Sequence, residues 1–395
     1  MKSDRKRSPT LAAAVFRSLI VFGLIGAVAA ATAGGWIGST RVDATYLQPG
    51  VDTPPPQARV AASTERTLAL ESVSRQARYV TRDGLWAVDN QSNFGILAEV
   101  QDRSIGGALR RVELLGGSTF EVGSLVAVHP WAYGPDPTIG LNLAYDEVSL
   151  DTDLGQLGGW LVEAGTNTWA IILRDAKDER RASLRLVSEL NALGVSTLVL
   201  DYRNQARAPA DPSGRYQFGN TEWRDVEAGV DYLESLGANK VLLFGSGMGG
   251  AVVLGFLMRS DAADLVSGAV LEGPHLDARA TFAEDLANSK LPVLGVSTPD
   301  ILQDAALRLT GWRFGIDWSA VDYLSQADRL ATPVLILHGD IDVEAPLAVS
   351  QGMATAAPRM VRLEVFAGAG HGEAWNTDRG RYRMLVADFV AEHAR

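Results

Sequence analysis

From residue 142 onward, apolar and polar positions settle into a regular alternation of two patterns. Short apolar runs occur at 169–173, 197–200, 241–244, 269–271, 333–337 and 362–366, and segments of helical periodicity lie between them, including 179–193, 222–236 and 251–259. An apolar run without polar alternation suits a strand covered on both faces, and amphipathic segments between such runs suit crossover helices. The expectation over 142–395 is an α/β domain: a mostly parallel sheet flanked by helices, with right-handed crossovers. Residues 142–150 and 159–163 read as an antiparallel entry hairpin. The interval from Pro274 to Ala331 is too long for one crossover and carries a helical segment at 301–309 followed by Trp312, Phe314 and Trp318, so a helical cap over about 275–331 is expected.

The pattern before residue 142 differs. Short β-like runs at 78–80, 94–100 and 125–128, broken by glycine, predict a small β-rich module over 78–141. Residues 39–77 read as a linker with a short helix at 60–77, and Pro54-Pro55-Pro56 acts there as a semi-rigid spacer. Residues 18–38 carry no charge and are mostly apolar. As a helix they would span about 30 Å, the thickness of a hydrocarbon core. Lys2, Arg5, Lys6, Arg7 and Arg17 precede this run, which predicts a cytoplasmic tail over 1–17 and a body outside the cytoplasm. Ala27-Val28-Ala29 and Ala31-Thr32-Ala33 resemble cleavage sites, so a removed signal peptide and a secreted protein are the alternative to a membrane anchor.

The length of 395 residues allows two or three domains. The first 17 residues are net +4 against a total of −11, which puts the remainder at −15 and argues against a nucleic-acid partner. With no cysteine, the chain has neither disulfides nor thiolate chemistry.

The candidate chemistry sits where apolar runs end. Residues 241–250 read as a strand, a tight glycine turn and a helix start, the setting of the nucleophile elbow G-x-S-x-G. Strand and helix approach closely there, so the positions two before and two after the nucleophile must be small. Gly245 and Gly249 satisfy this for position 247, whereas Ser246 would need Phe244 and Met248 to be small. The frame is therefore Gly245-Ser246-Gly247-Met248-Gly249, and its nucleophile position holds Gly247. Ser246 reads as a turn or helix cap and only secondarily as a nucleophile. Two further strand ends follow: His338-Gly339-Asp340-Ile341-Asp342, and Gly368-Ala369-Gly370-His371. Nucleophile, acid, histidine is the chain order of α/β-hydrolases.

On these motifs the chain from about residue 140 resembles bacterial α/β-hydrolases of the serine peptidase and esterase branch. The resemblance implies Asp342 as the acid that orients His371, and His371 as the base. It implies an oxyanion hole from the Met248 amide and from the loop after 169–173, here Arg174-Asp175-Ala176 in place of the usual His-Gly. Asp175 would oppose a developing oxyanion unless Arg174 neutralised it. Two departures in one site point to relaxed selection for hydrolysis.

His338, Asp340 and Asp342 could also be read as a metal cluster, but the acid turn accounts for them, and neither a metal nor another cofactor is expected. Glu272 reads as pocket-lining and Glu373 as solvated. Segments 201–204 and 221–225 read as framework. The expected function is that of a pseudohydrolase of the cell envelope, anchored through its N-terminal helix, that binds a small-molecule or protein ligand. The alternatives are an active ester or peptide hydrolase in which Asp342 and His371 serve a non-standard nucleophile, and a structural partner in an envelope complex.

Overall fold

In the computed structural model, residues 11–74, 77–90, 92–116, 118–290 and 297–394 are described. They divide into two compact units, one holding the residues up to Tyr46 with Phe282–Ile316, the other Leu47–Thr281 with Asp317–Arg395.

The first unit is built on α1 (Leu11–Val42), which passes into a π-helical turn at Asp43–Leu47. Residues 1–10 of the expected basic tail over 1–17 lie outside the described residues, and the expected membrane span over 18–38 falls within α1. Among the described residues no helix is long and apolar enough to cross a membrane. The C-terminal third of α1 packs on the helix Asp300–Phe314, labelled α8 below. Gly34, Gly35 and Gly38 make the close approach possible: a Cβ on Gly38 would come 2.7 Å from the Ala306 Cβ, and the other two face Leu302 and Ala305 at 3.1 Å. Arg41 pairs with both oxygens of Asp285 at 2.8 Å, and the Arg313 guanidinium lies 4.1 Å over the Trp36 ring. The interval expected as a cap thus divides. Its middle, Phe282–Ile316, joins the N-terminal helix, and its two ends belong to the second unit.

In the second unit, β1 (Ala58–Ser63), β2 (Thr67–Ser72), β3 (Trp86–Asp89), β4 (Phe94–Ser104), β5 (Gly107–Gly116) and β6 (Leu125–His129) close into a barrel in the order β1-β2-β5-β4-β3-β6. Neighbouring strands are antiparallel throughout. This corrects two expectations. Within the stretch expected as a helix over 60–77, residues 60–72 belong to a hairpin instead, because Val60, Leu68 and Leu70 point inward at the two-residue period of a strand. Residues 78–80, expected as a strand, form the helical turn α2 (Arg78–Thr81). The barrel core packs Trp86, Val88, Leu97, Val112, Phe120, Val126 and Val128. Arg110 is fully buried and meets carbonyls instead of a carboxylate: its guanidinium donates to Tyr79, Arg82, Gly84 and Ala98, and burial pulls its pKa down to about 10.

The rest of the second unit is an eight-stranded sheet: β7 (Asp146–Thr152), β8 (Gly155–Val162), β9 (Trp169–Leu173), β10 (Ser196–Leu200), β11 (Val241–Ser246), β12 (Val266–Glu272), β13 (Val334–Gly339) and β14 (Val361–Phe366). The spatial order is β7-β8-β10-β9-β11-β12-β13-β14. β7 and β8 form the entry hairpin, β8 runs antiparallel to β10, and every pair beyond is parallel. Every residue of β9 and β10 is buried, which is why these strands show no polar alternation.

The helices are α3 (Pro137–Leu141), α4 (Leu184–Ala192), α5 (Trp223–Ser235), α6 (Met248–Arg259), α7 (Ala278–Asn288), α8 (Asp300–Phe314), α9 (Leu347–Ala356), α10 (Ala374–Thr377) and α11 (Arg379–His393). α5 turns Val226, Gly229, Val230 and Leu233 to the sheet at helical spacing. Each large apolar side chain so covered contributes about 1.5–3 kcal/mol. All parallel strands end at the same edge, so the loops after β9, β11, β12, β13 and β14 meet there.

Candidate active site

At the end of β11 the chain turns sharply into α6. Gly247 is the hinge, at φ 52° and ψ −120°, a backbone that glycine adopts without the Cβ strain other residues meet. A Cβ on Gly245 would lie 2.6 Å from the Gly249 carbonyl, and one on Gly249 would overlap the Leu173 carbonyl. These contacts fix the frame, with Gly247 at the nucleophile position.

The space above Gly247 is filled. A Cβ on Gly247 would overlap the carboxylate of Asp175, meeting its Cγ and both oxygens. Asp175 Oδ1 accepts from the amides of Met248 and Ala176, each at 2.7 Å, and these are the two donors expected to form the oxyanion hole. Its other oxygen, Oδ2, lies 3.1 Å from Nε2 of His371. Nδ1 of the same ring lies 2.9 Å from Asp342 Oδ2. The amides of Glu344 and Ala345 donate to Asp342 Oδ1 at 2.8 and 2.9 Å, and His338 Nε2 stands 3.4 Å from Oδ2.

The charges follow from these contacts. Burial alone would raise the Asp175 carboxyl, but the hydrogen bond and charge of His371 and the Met248 amide hold it well below the usual carboxylate range. Asp342 is held low in the same way, burial being outweighed by its bonds to His338 and His371. Burial opposes a charge on His371, yet Glu344 and the bonds to Asp175 and Asp342 raise its pKa well above the ordinary value. The arrangement is an imidazolium between two carboxylates. His275 stacks on that ring at 5.4 Å, and burial pulls its pKa down to about 4, so it is neutral.

Arg174 does not neutralise Asp175. It lies 2.7 Å from Asp201 Oδ1 and donates to the Asp178 carbonyl at 2.8 Å, and His371 supplies the compensating charge instead. Ser246 lines a small cavity with Arg174, Asp178, Arg185 and Glu272, and among the described residues no hydrogen bond joins it to His371. Glu272 accepts from the Ala374 amide at 3.0 Å and from Arg185 at 3.2 Å. His338 donates from Nε2 to the Ala345 carbonyl, and Asp340 accepts from the Gly368 amide. In the framework segments, Arg203 forks onto Asp225 at 2.7 and 2.9 Å.

Glu373, expected in solvent, is fully buried. It accepts from Arg82 at 2.5 Å, Tyr79 at 2.7 Å and Arg78 at 3.1 Å, and Arg82 also bonds the Gly368 carbonyl. The barrel's α2 therefore clamps the loop that carries His371. The chain shows no local sign of this, since the partners lie nearly 300 residues apart. The filling of the site by Asp175 and the stacking of His275 were also missed. The only available signal was an acidic residue in place of glycine beside the elbow.

No family model matches the chain. An uncharacterised protein of Mycobacterium tuberculosis is 25% identical over 274 residues, covering 66% of this chain and 85% of that protein. An uncharacterised protein of Escherichia coli is 23% identical over 267 residues, covering 65% and 83%. Among solved structures, an esterase of Pyrococcus furiosus superposes with a TM-score of 0.52 at 18% identity, over 67% of this chain and 96% of that one. A second crystal form of it gives 0.51 at 17% identity, over 66% and 97%. At that identity the likeness speaks for the fold alone. The chain has the α/β-hydrolase fold.

Proposed function

We propose that the protein is a pseudohydrolase of the cell envelope that acts by binding, its old catalytic site closed by its own Asp175. The observation that carries this reading is the Asp175 carboxylate, which sits on both oxyanion amides and against His371 in the space a serine side chain would need. A serine hydrolase needs that space for its nucleophile and those amides for the substrate's oxygen. The wild type should neither turn over simple acyl esters nor label with a fluorophosphonate above a denatured control. Ester hydrolysis that disappears in His371→Ala would overturn the reading.

The location outside the cytoplasm is part of the proposal. It rests on the basic residues before the uncharged run 18–38. Protease added to intact spheroplasts should digest the body and spare an N-terminal tag; a protected body would refute it.

One observation favours a second reading, an active hydrolase with a carboxylate nucleophile: Asp175 presents one oxygen to His371 while the other rests on two amides. Oδ2 would attack a saturated carbon, forming a C–O ester bond as the leaving group departs with its electron pair. After its proton is passed to solvent, His371 would deprotonate a water. That water would attack the ester carbonyl, releasing the alcohol and restoring the carboxylate. Turnover in heavy-oxygen water would then label the Asp175 peptide, and the pseudohydrolase reading expects no label.

A further inference from the structure

Asp175, His275 and His371 stand on the loops after β9, β12 and β14, and each offers one ligand atom within 4.8 Å of the others. We propose that these three side chains form a binding site for a divalent transition-metal ion, zinc being the ion their chemistry fits best. One carboxylate and two imidazoles are a borderline donor set of the kind zinc takes, with bond lengths of about 2.0–2.2 Å. Two ligands on one such ion stand somewhat over 3 Å apart, and His371 Nε2 and Asp175 Oδ2 already stand 3.1 Å apart.

The groups behind the ligands have the arrangement a metal site requires. Asp342 holds the far nitrogen of His371 at 2.9 Å, the carboxylate–histidine pairing that orients a ligating ring. Thr281 donates its hydroxyl to the Asp277 carbonyl and can therefore accept only from Nδ1 of His275, 3.4 Å away. That leaves the lone pair on Nε2, which has no hydrogen-bond partner among the described residues. Carboxylate oxygens of Asp342 and Asp175 flank the His371 ring at 2.9 and 3.1 Å. Two carboxylates gathered at one imidazole favour a dication. Ion binding does not depend on any bond being cleaved here, so it stands or falls apart from the function proposed above.

The test uses the full chain, stripped with a chelator and titrated with zinc chloride in a calorimeter. One equivalent should bind. His275→Ala and Asp175→Asn should abolish stoichiometric binding. Asp342→Asn should weaken it about 10–100-fold, as loss of an orienting partner does. His393→Ala, far along the chain at the end of α11, should bind as the wild type does. Absence of uptake by the wild type at millimolar zinc overturns the proposal without recourse to any variant. Uptake that survives in His275→Ala and Asp175→Asn overturns it as well, because the ion would then be bound elsewhere.

Discussion

Gly247 and Asp175 occupy one space, and a double-mutant cycle measures how tightly. Gly247→Ala puts a methyl group where the Asp175 carboxylate stands, so the carboxylate must leave. It then gives up two charge-assisted hydrogen bonds to the Met248 and Ala176 amides and its contact with His371. Each such bond contributes about 1.5–3 kcal/mol net. The Asp175 side chain is 23% exposed, so the displaced group regains part of this from water, leaving a loss of about 2–3 kcal/mol. A side chain at φ 52° adds about 1 kcal/mol of strain. The single change should therefore cost about 3–4 kcal/mol, and Asp175→Ala alone about 2–3 kcal/mol for the partners it leaves unpaired. In the double variant the overlap no longer exists, and only the strain adds to the Asp175 loss. The two effects should then fall short of additivity by about 2 kcal/mol, a coupling well above the scatter of independent sites. Urea unfolding of the four proteins measures it. Additive costs would show that the carboxylate does not depend on the missing Cβ, and the account of the filled site would fail.

The remaining predictions concern catalysis, pH and the barrel clamp. Gly247→Ser alone should label weakly or not at all with a fluorophosphonate, because the carboxylate it pushes aside stays beside the oxyanion site and opposes the developing charge; Gly247→Ser with Asp175→Gly should label more strongly, and equal labelling of the two variants would contradict the geometry. On the acid side, Asp175 and Asp342 have lowered folded pKa values, so their stabilisation is present above the unfolded carboxylate pKa and is lost as pH falls toward the folded ones. His275 adds to this loss as pH falls from about 6.5 to about 4, since its folded pKa is the lower one. The raised pKa of His371 acts the other way, with stabilisation present below the unfolded value and lost as pH rises through the folded one. Melting temperature should thus peak between these limits, and the alkaline limb should vanish in His371→Gln. Glu373→Gln keeps the shape but removes the charge that Arg82 and Arg78 face, and should cost about 2 kcal/mol. It should also speed amide exchange at Gly370, whose N–H bonds that carboxylate, and unchanged exchange there would refute the clamp.

The sheet was legible because its central strands are buried on both faces and so stand out as unbroken apolar runs. The elbow frame was legible because close backbone approach admits only glycine at positions 245 and 249, a demand visible in single residues. The hairpin β1–β2 was not. Its turn over Thr64–Thr67 uses threonine hydroxyls rather than glycine, proline or asparagine, and its inward residues are interrupted by polar ones. The division of the 275–331 interval was also hidden. The small residues of α8 that meet α1, Ala305 and Ala306, are ordinary in any helix and gain meaning only beside Gly35 and Gly38. Glu373 was misjudged for a similar reason: a carboxylate two residues after a histidine reads as surface until a barrel nearly 300 residues upstream brings two arginines to it.

Asp175 shows where charge counting along the sequence fails. Beside an oxyanion hole an acidic residue reads as a defect, because it would repel the anion that forms there. The geometry makes the carboxylate itself the anion, seated on the amides that would hold a substrate's oxygen and paired with the histidine that would activate a serine. A site decaying through loss of one residue would leave amides and an imidazole without partners, and unpaired polar groups in a buried place are costly. Here each of them is paired. The absent Cβ of Gly247 leaves the space that the carboxylate of Asp175 fills, so the two residues act as one packing unit, and a change at either is felt by the other.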